Sequence, residues 1–241
     1  MKMSNVSNFK LLDLFCGAGL AAWGYWLSGR FSEIVGVDLQ DKYTTGYSFD
    51  HVQRDVLTLD YEFLSQFDFI HASPPCQAYS KATPRQHRKN HMRLIAATHL
   101  ICNAAGLSYV IENVEGSSRE LRPNVVLSGR AFGLASDRRR YFHVSKLKRR
   151  IRKINMSSAA NLNVSIDAHI NQHNVSNMRS PQTFQVRAKM RRKEMIEALG
   201  LDVINPNVLR RIPVRCMNQG IPPVMTKSIA EVLIPEKIAI G

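Results

Sequence analysis

The chain has 241 residues, enough for one large domain or a core domain with a smaller lobe, and its 44% hydrophobic content is typical of globular proteins. No apolar run approaches the ~18 residues of a membrane span, and the N-terminal residues lack the apolar core of a secretory signal. The four cysteines stand without Cys-x-x-Cys spacing, which argues against a zinc site and a disulfide framework. We therefore expect a cytoplasmic protein without a bound metal.

The net charge indicates the kind of partner. Lys and Arg outnumber Asp and Glu by 33 to 19, which gives a formal net charge of +14. A single basic run is more often a solvated face, but several runs with few acids between them favour nucleic acid as the partner. The runs span residues 85–93, 138–140, 146–153 and 187–193.

The first predicted unit is a strand, a glycine turn and a helix. The apolar run Phe9–Phe15 ends in Cys16-Gly17-Ala18-Gly19, and Leu20–Leu27 has helix-like spacing. This order opens cofactor-binding α/β units, because glycines let a ligand approach the backbone and the helix N-terminus offers free N–H groups. The turn lacks the third glycine of the dinucleotide fingerprint, so by itself it is a weak signal.

Two acidic residues follow the next apolar stretches. The predicted strand Glu33–Val37 delivers Asp38, which suits a pair of ribose hydroxyls or, equally, a solvent-facing turn. The stretch His51–Val56 places Asp55 beside an apolar residue, where it can contact an adenine edge.

The rest of the chain is organised around Ser73-Pro74-Pro75-Cys76-Gln77. The preceding run Phe67–Ala72 predicts a buried strand, and the two prolines end it and fix the backbone. Open α/β sheets bind ligands at this edge, so the position suits a nucleophile. A buried structural cysteine is the alternative.

A predicted lid, a helix and a strand come next. The polar, basic stretch Ala78–Asn90 predicts a long mobile loop beside Cys76, and such loops are often lids. Met92–Ala105 predicts a helix. The strand Leu107–Ile111 then delivers Glu112-Asn113-Val114 to the same edge as Cys76, and a buried carboxylate there is costly unless it has a partner or a task.

The next strands form a predicted hairpin, Val125–Leu127 with Tyr141–Val144. Arg138 and Arg140 straddle the entry to its second strand and, by alternation, share one face.

The C-terminal part has less pattern. Residues 145–177 are polar and basic with few turn signals, whereas Arg187–Leu199 predicts a basic amphipathic helix and Val224–Leu233 a proline-started helix.

Together these features resemble the cytosine carbon-5 DNA methyltransferases. The resemblance is good over 9–145, loose over 216–234 and weak between them. It implies an α/β fold with a doubly wound, mostly parallel sheet, a Rossmann-like S-adenosylmethionine-dependent methyltransferase. The closing motif, in the family, folds back beside the first helix. The matching motifs are Asp13-Leu14-Phe15-Cys16-Gly17-Ala18-Gly19, Ser73-Pro74-Pro75-Cys76-Gln77, Ile111-Glu112-Asn113-Val114, Arg138-x-Arg140 before Tyr141-Phe142, and Ile221-Pro222-Pro223.

The resemblance implies the chemistry. Carbon 5 of cytosine is a poor nucleophile until a thiolate, here Cys76, adds at carbon 6. Glu112 then holds or protonates ring N3 and binds the exocyclic amine, helped by a pKa that burial raises. Arg138 and Arg140 fork onto the base carbonyl and nearby backbone, and the basic surroundings favour the thiolate. Because a stacked base cannot reach the thiol, the cytosine is flipped out of the duplex.

It also implies the binding residues and the partners. The ligands are S-adenosylmethionine and double-stranded DNA, with the protein a monomer. The expected cofactor pocket comprises Phe15, Gly17, Ala18, Gly19, Leu20, Asp38, Leu39, Asp55, Val56 and Pro74, and the expected DNA contacts are Gln77, Ser80, Lys81, Arg85 and Arg88.

Domain organisation follows the same resemblance. Residues 1–145 form the expected catalytic and cofactor-binding domain, 146–215 a small target-recognition region, and 216–241 a C-terminal helix that returns to the catalytic domain. This compactness suggests a phage- or prophage-type enzyme, in a bacterial cell or infected host. Two motif positions depart from the family: Ser136 replaces a frequent Gln, and Asn218-Gln219-Gly220 replaces the usual Gly-Asn arrangement.

Three other activities share part of this pattern. An amino-methyltransferase acting on adenine N6 or cytosine N4 carries an aromatic residue after the two prolines, so Cys76 argues against it. A carbon-5 RNA methyltransferase of the tRNA-modifying branch shares the same motifs. A catalytically silent DNA-binding protein keeps only the fold, and the intact Cys76 and Glu112 argue against it.

Overall fold

The structure, a computed structural model, describes residues 9–145 and 191–234. The strands in these ranges are β1 (Phe9–Leu14), β2 (Phe31–Asp38), β3 (Asp50–Gln53), β4 (Phe69–Ala72), β5 (Ser108–Asn113), β6 (Val125–Ser128) and β7 (Arg139–Val144). They form one sheet in the order β3-β2-β1-β4-β5-β7-β6. Strands β1 to β5 pair in parallel, whereas β7 lies antiparallel between β5 and β6. The predicted α/β fold with a mostly parallel sheet is confirmed.

Short helices connect the strands. They are α1 (Leu20–Leu27), α2 (Lys42–Thr45), α3 (Tyr61–Leu64), α4 (Ile95–Ala104), α5 (Ser118–Leu121), α6 (Arg192–Leu199), α7 (Pro206–Arg211), α8 (Val214–Gln219) and α9 (Pro223–Leu233), with 3₁₀ turns at 56–58, 85–90, 115–117, 129–132 and 201–203. Among the described residues, no helix has the length and apolar composition that crossing a membrane requires.

The core lies on both faces of the sheet. Every residue of β4 and β5 is buried, as expected for central parallel strands whose faces are both covered. Leu11 and Phe69 belong to the cluster under α1 and α9, whereas Leu12 and Ile70 belong to the cluster under α4 and α5. Alternation along each strand therefore distributes the side chains between the two layers.

Helix α9 packs closely on α1. The Thr226 hydroxyl donates to the Ala21 carbonyl oxygen at 2.8 Å. A Cβ on Gly24 would lie 1.9 Å from Thr226 Oγ1 and 2.1 Å from the Pro223 carbonyl oxygen. The missing side chain at Gly24 is therefore what allows the two helices to approach.

Helices α6 to α8 pack on the start of α1. Met195, Leu209 and Met217 share an apolar cluster with Ala18 and Leu20. The Arg192 guanidinium turns inward, and its Nη1 donates to the carbonyl oxygens of Leu209 and Ile212. The expected domain boundaries at 145/146 and 215/216 stay predictions, and residues 146–190 lie outside the described residues.

Most element bounds agree with the sequence prediction. Helix α1 has the predicted limits, and β6 with β7 forms the predicted hairpin. Helix α4 begins at Ile95 rather than Met92. The predicted loop 78–90 includes a 3₁₀ turn over 85–90, where the His87 N–H donates to the Pro84 carbonyl oxygen.

Candidate active site

The turn that carries Cys76 is held by the strands on either side. The Ser73 N–H donates to the Leu14 carbonyl oxygen at 3.1 Å, which fixes the end of β4 to β1. On the other side, the Asn113 amide donates to the Pro74 carbonyl oxygen at 2.8 Å. Two prolines between these anchors leave the backbone little freedom. The half-buried Cys76 therefore stands at a fixed point of the sheet edge.

Beside this turn lies a buried ion pair. Arg140 Nε is 2.7 Å from Glu112 Oε1, and the two side chains are 9% and 8% exposed. Glu112 is the penultimate residue of β5, and the antiparallel register pairs it with Phe142 of β7, so Arg140, two residues before Phe142, lies on the same face. Arg138, just before β7, interacts electrostatically with Glu112 and Cys76. The structure thus brings all four expected catalytic residues together.

Burial decides the protonation of the thiol. It raises the pKa of Cys76, and the Glu112 carboxylate raises it further, whereas Arg140 and Arg138 act in the opposite direction. We expected the basic surroundings to favour the thiolate. The arginines have that effect, but burial outweighs them in the free protein, so the net pKa of the Cys76 thiol is raised.

Burial also raises the pKa of Glu112, as the sequence led us to expect. Arg140, Arg138 and a hydrogen bond from the Ser73 hydroxyl oppose this rise. Arg138 itself has a pKa lowered to about 9, first by burial and then by the positive charge of Arg140. The carboxyl group is therefore set up to hold a proton more readily than an exposed glutamate does.

A single cavity of about 340 Å³ joins this cluster to the glycine turn. Gln77, Glu112 and Arg140 line it together with Cys76, whereas Arg138 does not. All ten expected cofactor residues line it: Phe15, Gly17, Ala18, Gly19, Leu20, Asp38, Leu39, Asp55, Val56 and Pro74. The thiol and the expected cofactor residues thus line one cavity, and concave spaces of this kind are typical of ligand sites.

The glycine turn leaves room for a ligand. Phe15, Gly17 and Gly19 have φ angles of 55°, 49° and 75°, so the turn alternates into the left-handed region. A Cβ on Gly17 would meet no atom within 4 Å. The Asp38 carboxylate accepts hydrogen bonds from the N–H groups of Gly17, at 3.0 Å, and Gln40, at 2.9 Å. These features fit an adenosyl group that approaches backbone at the turn and a carboxylate at the end of β2.

A buried acid, to which the sequence reading gave no role, lies under the turn. Asp13 is 1% exposed, and the Tyr47 hydroxyl donates to its Oδ2 at 3.4 Å. Burial raises the pKa of Asp13 to about 8, with the charge of Asp38 adding to the rise and the Tyr47 hydrogen bond opposing it. Asp13 is therefore neutral at pH 7.

Sequence reasoning missed the far wall of the cavity. Thr45 and Leu57 line it, as do residues from segments far along the chain, among them Met92, Cys216 and Gln219. In the sequence, only the weakly matching motif Ile221-Pro222-Pro223 indicated that the C-terminal region reaches this cavity.

Most expected DNA contacts lie on the segment leaving the cavity. Gln77 lines the cavity, whereas the other four do not. Lys81 Nζ pairs with Glu115 Oε2 at 2.6 Å, and Arg88 Nε donates to the Thr83 carbonyl oxygen at 3.0 Å. Arg85 is exposed, and the Ser80 hydroxyl oxygen accepts from the Ala82 N–H.

No group of three or more His, Cys, Asp or Glu side chains within 9–145 and 191–234 is placed to hold a metal ion.

Comparison with known proteins gives a family match over part of the chain, and a fold. Residues 9–124 match the family model of C-5 cytosine-specific DNA methylases, which confirms the resemblance over that range. No curated protein sequence matches the chain.

Solved methyltransferase structures share the fold. The Entamoeba histolytica methyltransferase EhMeth has a TM-score of 0.55 at 14% identity, covering 94% of this chain and 98% of that one. The S. pombe Dnmt2 methyltransferase has a TM-score of 0.57 at 13% identity, over 93% and 98%. A triple mutant of Spodoptera frugiperda DNMT2 has a TM-score of 0.53 at 13% identity, over 94% and 99%. At these identities the likeness establishes the fold alone.

Proposed function

We propose, from the premise that residues 9–124 match the C-5 cytosine-specific DNA methylase model, that this chain transfers a methyl group to carbon 5 of cytosine in duplex DNA. The observation that carries the proposal is the shared cavity. Cys76, Glu112 and Arg140 line the same space as the glycine turn, so a nucleophile and a base-binding acid face a cofactor-sized pocket.

S-adenosylmethionine fits this cavity as the methyl donor, and it supplies an electrophilic methyl group when bound. The open side of Gly17 admits the donor close to the backbone. Asp38 would hold the ribose hydroxyls and Asp55 the adenine edge, with Phe15, Leu39 and Val56 as apolar walls.

The Cys76 thiolate forms a bond to carbon 6 of the cytosine. The ring electrons move toward N3, where Glu112 supplies a proton, and carbon 5 becomes nucleophilic enough to take the methyl group. Carbon 5 then loses its proton to solvent water, the carbon–sulfur bond breaks and returns the thiolate, and Glu112 recovers its proton from N3, so the net products are 5-methylcytosine, the demethylated donor and one proton. Arg140, held by Glu112, donates to the base carbonyl oxygen.

The depth of Cys76 supports base flipping, because a stacked cytosine cannot reach a thiol inside a cavity. The segment after Cys76, with Ser80, Lys81, Arg85 and Arg88, is proposed to close over the DNA backbone. Residues 146–215 are proposed to read the target sequence, since they carry two of the basic runs.

The test is methyl transfer from labelled S-adenosylmethionine to duplex DNA, with tRNA in parallel. We expect 5-methylcytosine in DNA, in one short sequence context, and none with Cys76→Ser. If tRNA were methylated and duplex DNA were not, the substrate would be RNA rather than DNA. DNA containing 5-fluorocytosine should form a denaturation-resistant conjugate, because fluorine cannot leave carbon 5 as a proton does. Undiminished methylation by Cys76→Ser would refute the nucleophile.

A further inference from the structure

Three polar side chains, Tyr25, His71 and Ser73, form a hydrogen-bonded row, here called the file, that leads from α1 to Glu112. The Tyr25 hydroxyl lies 3.0 Å from His71 Nδ1, and His71 Nε2 lies 2.8 Å from the Ser73 hydroxyl oxygen. Tyr25 and His71 are 0% exposed. None of the three is required by the chemistry described above, yet burying their polar atoms is costly unless the hydrogen bonds are kept.

Strand register extends the file to the acid. His71 pairs with Val110 and Ala72 with Ile111, so the next step along β4 and β5 sets Ser73 beside Glu112. Alternation puts His71 and Ser73 on the face that α1 covers. The Ser73 hydroxyl hydrogen-bonds Glu112.

We infer that Tyr25, His71 and Ser73 are positioning residues that orient the Glu112 carboxyl group toward the base, an inference that rests on the proposed function. Each donates to the next: Tyr25 to His71 Nδ1, His71 Nε2–H to Ser73, and Ser73 to Glu112.

Protonation fixes this direction. Burial lowers the pKa of His71 to about 3, so its ring is neutral and carries a single N–H. The Ser73 hydroxyl has one proton and donates it to Glu112, so its oxygen must accept from His71. The single ring proton therefore lies on Nε2, and Nδ1 accepts from the Tyr25 hydroxyl. Asp13 is the other titratable group that acts on Tyr25, and with a pKa of about 8 it is mostly protonated at pH 7.

The consequence lies at the carboxyl group. Arg140 occupies Oε1 of Glu112, and Arg138 and Cys76 are the other charged or titratable groups that act on this cluster. A carboxyl group that already accepts from Arg140 and Ser73 has little freedom to rotate. The carboxyl group is therefore held in a fixed orientation at the cavity wall, where N3 of the cytosine would lie.

The first test reads the tautomer directly. In ¹⁵N-histidine-labelled full-length protein, the His71 signals, assigned by their loss in His71→Gln, should show a protonated Nε2 and a bare Nδ1 across pH 5 to 9. A proton on Nδ1 would overturn the inference.

The second test uses Ser73→Ala and Tyr25→Phe, with Tyr109→Phe as the matched control. Tyr109 is a buried tyrosine whose hydroxyl donates to Asn103, away from this file. With ¹³C-glutamate labelling, the pKa of Glu112 should rise in Ser73→Ala, rise less in Tyr25→Phe, and stay unchanged in Tyr109→Phe. In the methylation assay, kcat of Ser73→Ala should fall about 10-fold, the effect of one hydrogen bond to a charged group, with KM for the methyl donor unchanged.

An unchanged or lower Glu112 pKa in Ser73→Ala would reject the file, whatever the kinetics. The NMR signals do not depend on methyl transfer. A wild-type protein that showed the Nε2–H tautomer but methylated no nucleic acid would therefore reject the proposed function and leave the file standing.

Discussion

Arg140 Nε lies 2.7 Å from Glu112 Oε1 in an almost fully buried ion pair at the edge of the sheet. Such a pair stabilises little as a whole, but the loss of one partner leaves a buried charge behind. Arg140 therefore has two effects on Glu112. It offsets the cost of burying the carboxylate, and it lowers the pKa of that group.

Replacing Arg140 should destabilise the protein in a pH-dependent way. In Arg140→Met the pKa of Glu112 rises further, so at a pH where the unfolded glutamate is ionised the folded variant must either bind a proton or bury an unpaired charge, and this cost grows as the pH rises. We expect a loss of about 3 kcal/mol in the free energy of unfolding at pH 8, and a smaller loss at pH 5. Urea unfolding at both pH values measures this. Adding Glu112→Gln should remove the pH dependence, and an equal loss at both pH values contradicts the prediction.

Glu112→Gln should reduce kcat about 10²–10⁴-fold, the usual contribution of a general acid, and should also lower stability, because it leaves the buried Arg140 charge without its partner. The proton donor to N3 is lost while the shape of the side chain is kept. The methylation assay measures kcat, and binding of S-adenosylmethionine, followed by calorimetry, should be unchanged. Full activity would remove Glu112 from the mechanism.

Cys76 should be alkylated slowly at pH 7 and faster as the pH rises, because its pKa is raised. The experiment is iodoacetamide labelling in a Cys216→Ser background, since Cys216 is the other cysteine that is not fully buried. Glu112→Gln should speed the labelling of Cys76 near neutral pH, because Glu112 raises the thiol pKa. Slower labelling in that variant would contradict the assigned interaction.

Asp13→Asn should become more stable relative to the wild type as the pH rises. The pKa of Asp13 is about 8 in the folded protein against 3.8 as the reference value. Between these values the folded state binds a proton that the unfolded state has lost, so wild-type stability falls by up to about 1.4 kcal/mol per pH unit. Urea unfolding at pH 5 and pH 8 tests this, with the exposed Asp202→Asn as control. A constant difference between variant and wild type would count against it.

DNA binding should weaken steeply with salt through phosphate contacts of the 146–153 and 187–193 runs. Lys193→Ala should reduce the slope of the logarithm of affinity against the logarithm of salt by about 0.9 if it meets one phosphate. The measurement is fluorescence anisotropy on a labelled duplex over a salt series, and a flat response would oppose it.

Local sequence patterns predicted most of the strands and helices of the sheet-containing part of the fold. Leu20–Leu27 has helical spacing after a glycine turn, and its bounds are confirmed by the structure. Cys76 and Glu112 each follow a short apolar run, and parallel strands bring such residues to one edge. Sequence order alone was therefore enough to predict that they lie near each other.

Contacts between distant segments could not be predicted in this way. The file from Tyr25 through His71 depends on how α1 crosses β4, which neither segment encodes by itself. The net pKa of Cys76 depends on burial against charge, and only the packed structure decides which is larger. Helix α7 was missed although Asn205 and Pro206 give a recognisable start, because its six residues show no clear period.

The basic surface offers fewer positive charges to a nucleic acid than a count from the sequence implies, because the Arg192 side chain is used inside the protein. Its guanidinium is used within the protein, where it closes the carbonyl ends of α7 by donating to Leu209 and Ile212. A polyanion arriving at this face would find Arg191 and Lys193 exposed but not their neighbour. Neutralising Arg192 should thus lower the melting temperature and leave the number of counterions displaced by nucleic acid unchanged. Of these three consecutive residues, Arg192 stabilises the fold, whereas Arg191 and Lys193 are available to bind phosphate.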